Sequence, residues 1–409
     1  MLKTIRVSNF KSFKDLKMDF NNLNVLVGAN GSGKSNFIKI FKFLRDIVNN
    51  GLYGAIKKQG GLKYFRNINI GNTEPTIFNF NFKTIRDFKI NSQNIQLLNI
   101  DYVLEINNIN DFEYGINTEK IVFNCILTES NEKVIFEIIN DNGKFKAFLN
   151  ENSKKDLFNI EDIFPKSLLR VYENKLSSEE VFSILETPIK ELPFNWASIF
   201  TDNQFYDIDP KISKELYKVN GNDLLQENGE NVSALIKDIL DDEDKKMNFL
   251  NIVETFIPSI ESIGTENYIN NDYIFFNVKE SFSNENFPSW YISDGTNILI
   301  AIIVALCFDK SDIGFIEEVD KNIHPKLISN LMDLVDEVTL NKQIFITTHN
   351  GEILKHTNIE DIYLISRNFE GYSQITRPFN NEAFKKFLKT EVGIDELFIN
   401  DLLGNELWQ

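Results

Sequence analysis

Hydrophobic positions follow three different periods along the chain. At the amino end, residues 4–7 and Leu23–Val27 read as short strands around a polar turn, and the second runs straight into a glycine-rich loop. Beyond the loop, Phe37, Ile38, Ile40, Phe41, Leu44, Ile47 and Val48 recur at helical spacing, which predicts a helix ending near Asn49 to Gly51. From Thr76 to Leu149 the period becomes two. Ile77, Phe78, Phe80 and Phe82 open a series continued by residues 102–106, 121–127, 134–139 and 145–149, separated by Asn, Asp and Gly turns, and this predicts an antiparallel sheet. Residues 156–260 read as mostly helical: Val232, Leu235, Ile236, Ile239 and Leu240 form one apolar stripe. The acidic run 241–244 separates that stripe from a second helix through Leu250, Val253 and Ile257. No heptad lasts long enough for an extended coiled coil, and no internal repeat is visible. In the last part, a buried helix over 298–308 is followed by a strand at Ile313–Ile316, a helix over 326–338, and strands at 344–348 and 362–365. Strands alternating with helices predict a mostly parallel sheet with helical layers. The amino-terminal loop and this carboxy-terminal sheet would form one discontinuous α/β core.

The loop carries the most specific chemistry. Gly28-Ala29-Asn30-Gly31-Ser32-Gly33-Lys34-Ser35 meets the phosphate-loop pattern at every defined position, with a strand before it and a helix after it. Glycines let the backbone curl close to a phosphate chain, and the helix amino terminus adds a favourable field. Asn30, Gly31, Ser32, Gly33 and Asn36 are therefore candidate nucleotide-binding residues. Lys34 should reach the outer phosphates and serve catalysis, while the Ser35 hydroxyl should ligate magnesium.

Hydrolysis needs more than a cradle. Ile313-Gly314-Phe315-Ile316-Glu317-Glu318 is a short apolar strand ending in two carboxylates, at the sheet edge where such groups collect. Glu317 is the candidate magnesium ligand, and Glu318 the candidate to position or deprotonate the attacking water. A glutamate pair after a strand is also what a solvated strand end looks like, so its company matters. A second apolar strand ends in His349, one of three histidines, whose imidazole can hydrogen-bond a terminal phosphate.

Composition narrows the partners. The chain has 409 residues, 43 basic and 60 acidic, for a net charge of −17, which disfavours tight binding to bare nucleic acid through bulk charge. DNA contact would have to come from a local strip or a dimer groove. The two cysteines, Cys125 and Cys307, read as reduced core residues. The longest apolar run is well short of the about 20 residues that a membrane span needs, and the amino terminus carries no signal region. A cytoplasmic protein without membrane contact is expected.

Taken together, these motifs resemble those of compact RecF-like members of the ABC ATPase superfamily. These include the "AAA family" ATPases found in anti-phage systems, related to the ATPase part of the overcoming-lysogenization-defect nucleases. Residues 5–13, IRVSNFKSF, are similar to the family's opening strand and turn, and GANGSGKS to its Walker A. Ser293-Asp294-Gly295-Thr296 resembles the signature, although alone it also reads as a polar helix cap. Glu317-Glu318 with Asp320 resembles Walker B and D-loop, Ile323-His324-Pro325 the motif after it, and His349 the switch histidine.

The resemblance implies an ABC-type P-loop core with an inserted antiparallel β region and a helical subdomain. Its parts would be the amino-terminal core at 1–75, the β-rich part of the first lobe at 76–155, and a helical insertion at 156–262. The carboxy-terminal core at 263–365 and a cap or docking tail at 366–409 complete it. It further implies ATP and Mg2+ as cofactors, and a homodimer, extending to higher oligomers. Ser293, Gly295 and Thr296 of one subunit would touch ATP held by Gly33, Lys34 and Ser35 of its partner, and Asp320 is a further candidate nucleotide-binding residue. The family usually has Asp where Glu317 stands, so turnover is expected to be slow, and Gln59 is the nearest candidate for its phosphate-sensing glutamine. There is no CxxC in the sequence, and with 60 residues after His349 no nuclease domain like that of the lysogenization-defect relatives is expected in this stretch. The expected function is an ATP-hydrolysing regulatory subunit of anti-phage defence that controls a separate effector such as a nuclease. The alternatives are a RecF-like repair ATPase acting on DNA, and a nucleotide-gated scaffold with little turnover.

Overall fold

The computed structural model describes residues 1–90, 93–108, 113–141, 144–149, 198–219, 221, 224–268 and 272–378. The chain divides into two units, and it crosses between them several times. The first comprises Met1–Asn21, Gly31–Asp202 and Ile365–Ile375; the second comprises Asn22–Asn30, Asn203–Leu364 and Thr376–Gln409.

The first unit is built on a seven-stranded antiparallel sheet. Its strands are β1 (Leu2–Phe10), β2 (Phe13–Asp19), β4 (Thr76–Ile90), β5 (Gln93–Asn108), β6 (Tyr114–Leu127), β7 (Lys133–Asp141) and β8 (Lys144–Leu149), in the order β2-β1-β4-β5-β6-β7-β8. The period-two stretches after Thr76 are these strands, and β4 pairs directly with β1, Val7 opposite Phe78. Every second residue of β4 from Phe78 to Phe82 is buried, as alternation requires. Helix α1 (Lys34–Lys58) covers that face: Phe43 stacks on Phe78 at 5.3 Å between ring centroids, and Phe41 meets Phe80 edge-on at 5.9 Å. Phe10 and Phe65 close the cluster from the sheet and from the short helix Leu62–Phe65. The expected helix end near Gly51 is a break within α1, with Gly51 at φ 70°, after which the helix resumes. In β6 the inward positions are Glu119, Ile121, Phe123 and Cys125. The buried Glu119 carboxylate accepts from the Tyr102 hydroxyl at 2.8 Å, and burial beside that carboxylate raises the Tyr102 phenol above its ordinary range.

The second unit holds the parallel sheet: β9 (Gln204–Tyr206), β14 (Ile313–Ile316), β15 (Gln343–Thr348), β3 (Leu23–Val27) and β16 (Ile362–Arg367), adjacent in that order and all parallel. Every residue of β3, β14 and β15 is buried. Central parallel strands covered on both faces read as unbroken apolar runs for this reason. The pairing of β3 with β15 and β16 joins the amino-terminal strand to the carboxy-terminal sheet, as the discontinuous core requires. Past Leu364, the end of β16 and the last strand, β17 (Ser373–Thr376), belong mainly to the first unit.

Three expectations need correction. Residues 4–7 and Leu23–Val27 do not flank one turn: β2 lies between them, and β1 and β3 belong to different sheets. The stretch described within 198–262 is not uniformly helical. It contains β9 and the two-residue β10 (Tyr217–Lys218), both too short to show alternation, beside helices Val232–Leu240 and Glu243–Phe256. An unpredicted antiparallel hairpin follows, β11 (Ile260–Tyr268) and β12 (Tyr273–Glu280), with β13 (Asn286–Pro288) on β12. Its inward residues Ile263, Phe276 and Val278 pack on Val232, Ile236, Phe249 and Val253 and on the apolar helix α2 (Asp294–Ile303). Most of the predicted helical insertion, residues 156–197, and the predicted tail from 379 onward lie outside the described residues.

Candidate functional site

The carboxyl edge of the parallel sheet brings the second unit's candidate residues together. β3 delivers Gly28, whose N–H donates to the Thr348 carbonyl of β15 at 3.3 Å, followed by Ala29 and Asn30. β14 delivers Glu317, whose N–H still donates to the Tyr206 carbonyl at 2.8 Å; the chain then turns. At that turn Glu318 has φ 49°, a left-handed conformation that costs a non-glycine residue about 1–3 kcal/mol. Two contacts hold it there: its N–H donates to Thr347 Oγ1 at 3.1 Å, and its carbonyl accepts from the Lys321 N–H at 2.9 Å. The half-exposed carboxylate stands 3.8 Å from His349 Nδ1. Asp320 is buried, accepting from Thr348 Oγ1 at 2.7 Å, and Thr348 Oγ1 in turn accepts from the Asn350 N–H at 2.9 Å. Glu318, Asp320 and His349, sequence candidates from two strands, thus share one edge. Thr347 and Thr348 hold the turn and were not singled out in the sequence.

The signature stretch lies at the start of α2, in the same unit. Ser293 caps the helix, accepting from the Thr296 N–H at 3.2 Å, while its hydroxyl meets Thr296 Oγ1 at 2.9 Å. Gly295 sits where a Cβ would come within 2.5 Å of the Asn322 carbonyl oxygen. Only glycine lets α2 approach the turn that follows Asp320. Ser293 and Asp294 are exposed, and Asp294 pairs with Lys214.

The first unit holds the rest of the phosphate loop. Gly33 has φ 123°, and a Cβ there would fall 2.2 Å from Ser373 Oγ, so both conformation and space require glycine. Lys34 opens α1 and is buried; Ser35 is exposed; Asn36 Nδ2 donates to Ser12 Oγ at 2.9 Å. Ser32 is buried and its hydroxyl has no hydrogen-bond partner. A loop built of permissive glycine, outward-tied carbonyls and an orphaned hydroxyl fits a bound chain of phosphate oxygens. Gln59, the sensing candidate, ends α1, and its carbonyl accepts from Lys11 Nζ at 2.8 Å. Burial, with Lys39 nearby, lowers the Lys11 amine to about 8. Arg367, Ser373 and Ser12 touch this loop or its helix. Arg367 and Ser373 had no sequence signal, standing more than 330 residues from their partners in an expected tail. Among the described residues no cluster of three or more His, Cys, Asp or Glu could hold a metal by itself. No helix among them is long and apolar enough to cross a membrane.

A parallel sheet with a phosphate loop after β3, a histidine after the neighbouring β15 and carboxylates after β14 defines a P-loop nucleotide-binding core. Residues 23–355 match the family described as "AAA domain, putative AbiEii toxin, Type IV TA system", and the chain belongs to that family of ATP-binding ATPases. It is similar to an ATP/GTP phosphatase of Helicobacter pylori, 23% identical over 87% of each chain. It is also similar to the Retron Vc95 probable ATPase of Vibrio cholerae, 23% identical over 93% of this chain and 77% of that one. The tungstate uptake ATP-binding protein TupC of Campylobacter jejuni is 25% identical over 53% of this chain, which spans only 59% of TupC. A stretch of 44 residues is 46% identical to the RecF replication and repair protein of Lactococcus lactis, in keeping with the RecF-like motifs.

Proposed function

We propose that this ATPase is a Mg2+-dependent regulatory subunit whose nucleotide state controls the closure of two copies on shared ATP, and through closure a separate effector in anti-phage defence. The observation that carries the reading is the strained turn at Glu318. A glutamate held in a left-handed conformation beside His349, at the end of a buried strand, is what a fixed general base at a phosphate site requires. In this assignment the N–H groups from Asn30 to Asn36 cradle the phosphates and Lys34 binds their outer oxygens. Glu318 takes a proton from water as the new phosphorus–oxygen bond forms and the bond to ADP breaks, and His349 donates to the terminal phosphate.

The Ser35 hydroxyl and the Glu317 carboxylate are hard oxygen donors of the kind Mg2+ takes alongside phosphate and water. Held there with the nucleotide, Mg2+ would neutralise charge on the phosphates. Ser293, Gly295 and Thr296 would complete the site of a partner copy. The retron ATPase and the toxin–antitoxin description of the family support the defence setting.

Complementation tests the composite site. Ser293→Arg should bind ATP through its own Lys34 yet fail to hydrolyse it, and Lys34→Ala should also be inactive. In a two-fold dimer each site takes its loop from one copy and its signature from the other. A mixture then contains dimers with one intact site, and activity should return. If Ser293→Arg hydrolyses at the normal rate and stays monomeric with non-hydrolysable ATP, the shared-site reading is wrong.

A further inference from the structure

Two carbonyls of the phosphate loop are held from one side by residues distant in sequence. Arg367 Nε donates to the Gly31 carbonyl at 3.1 Å. Ser373 Oγ donates to the Ser32 carbonyl, and Ser373 N–H donates to the Ser12 carbonyl at 2.8 Å. Both residues sit on the hairpin of β16 and β17, whose turn is closed by hydrogen bonds between Asn368 and Tyr372.

Hydrogen-bond accounting fixes the direction of this contact. A carbonyl only accepts, so the single Ser373 hydroxyl proton goes to Ser32. The Ser12 hydroxyl proton must then go to Ser373 Oγ, 2.7 Å away. Ser12 Oγ in turn accepts from Asn36 Nδ2, on the first turn of α1. The result is a directed relay, Asn36 to Ser12 to Ser373 to Ser32, with every proton assigned.

Its consequence follows from peptide planarity. In a trans peptide the C=O and the following N–H point in opposite directions, and no cis bond is present among the described residues. Holding the Gly31 and Ser32 carbonyls from one side therefore turns the N–H groups of Ser32 and Gly33 to the other. The buried, unpartnered Ser32 hydroxyl marks the same peptide as one awaiting a ligand.

We propose that the β16–β17 hairpin, through Arg367 and Ser373, is the positioning element of the phosphate loop, aiming the Ser32 and Gly33 N–H groups at the nucleotide's phosphate chain. This rests on the reading of Gly28 to Ser35 as the ATP site. Arg367 and Ser373 touch no phosphate themselves, so their removal acts on loop geometry.

The test compares Ser373→Ala, Ser12→Ala, their double variant, Arg367→Met and Lys34→Ala in the full chain, titrated with labelled ATP and competed with inorganic tripolyphosphate. Ser373→Ala should weaken both ligands by the same factor, about five- to tenfold for one relay of neutral hydrogen bonds, and raise KM for ATP more than it lowers kcat. The double variant should be no worse than Ser373→Ala, because the Ser12 side chain acts on the loop only through the Ser373 hydroxyl. Arg367→Met, at an exposed position that folding tolerates, should weaken both ligands too. If Lys34→Ala loses ATP while the Ser373, Ser12 and Arg367 variants bind it like wild type, the hairpin does not set the loop and the proposal falls alone. If Lys34→Ala also binds like wild type, the ATP-site reading falls and takes the proposal with it.

Discussion

Glu318, the residue whose backbone is strained, is also the one the proposed chemistry needs. Glu318→Gln removes the proton acceptor, since an amide cannot take a proton from water, but keeps the side chain's size and its contact with Thr347. It should bind ATP normally and lose phosphate release by about 100-fold or more, measured under saturating ATP. Wild-type turnover in that variant would move the base elsewhere. Glu317→Asp should fold normally and keep or raise the Mg2+-dependent rate, because the shorter carboxylate matches the residue usual in similar ATPases. A collapse in rate with unchanged ATP binding would show a site rebuilt around glutamate. Gly295→Ala puts a methyl against the Asn322 carbonyl. The clash should outweigh the helix-propensity gain, lowering stability by about 1–3 kcal/mol in denaturant titration and cutting ATPase activity. At this scale the sequence exposed residues whose type and spacing are demanded by chemistry, such as Lys34, Glu318 and His349. It hid those whose role is only to hold a neighbour. A serine such as Ser373 carries no pattern, and its partner Ser32 lies 341 positions away.

Among the elements, the parallel strands were the most legible. β3, β14 and β15 are short apolar runs ending in chemistry-bearing residues, and their length of four to six residues separates them from a buried helix. The β-rich stretch after Thr76 was legible for the opposite reason, a clean period of two. The β11–β12 hairpin was not. In β12 apolar Phe275 stands between inward Ile274 and Phe276, so the alternation is lost in a continuous apolar run, and asparagine-rich connections blur the ends of both strands. How strand ends are joined also escapes periodicity. Thr348, the last residue of β15, holds Asp320 after β14 through a buried hydrogen bond, and so fixes the turn that carries Glu318. Thr348→Val keeps the shape but leaves the Asp320 carboxylate and the Asn350 N–H without that partner. The expected cost is about 1–3 kcal/mol, read as a lower urea midpoint, together with a reduced kcat as the turn loosens. Unchanged stability and rate would mean the turn is held by its backbone alone.

For the whole molecule, a chain that leaves the parallel-sheet unit after Asn30 and returns to it at Asn203 places its phosphate loop where the two units are joined in sequence. Periodicity alone suggested one core with an insertion; that the crossing falls inside the phosphate loop emerged only from the contacts. A net charge of −17 disfavours tight binding to bare DNA through bulk charge and leaves only a local strip or a dimer groove for such contact. The central claim is that Gly28 to Ser35 binds ATP, and equilibrium titration of labelled ATP against the wild type and Lys34→Ala tests it most directly. Saturable binding to the wild type and at least a tenfold loss in the variant are expected, the scale of a charge-assisted contact to phosphate. Near wild-type affinity in a folded Lys34→Ala would contradict it.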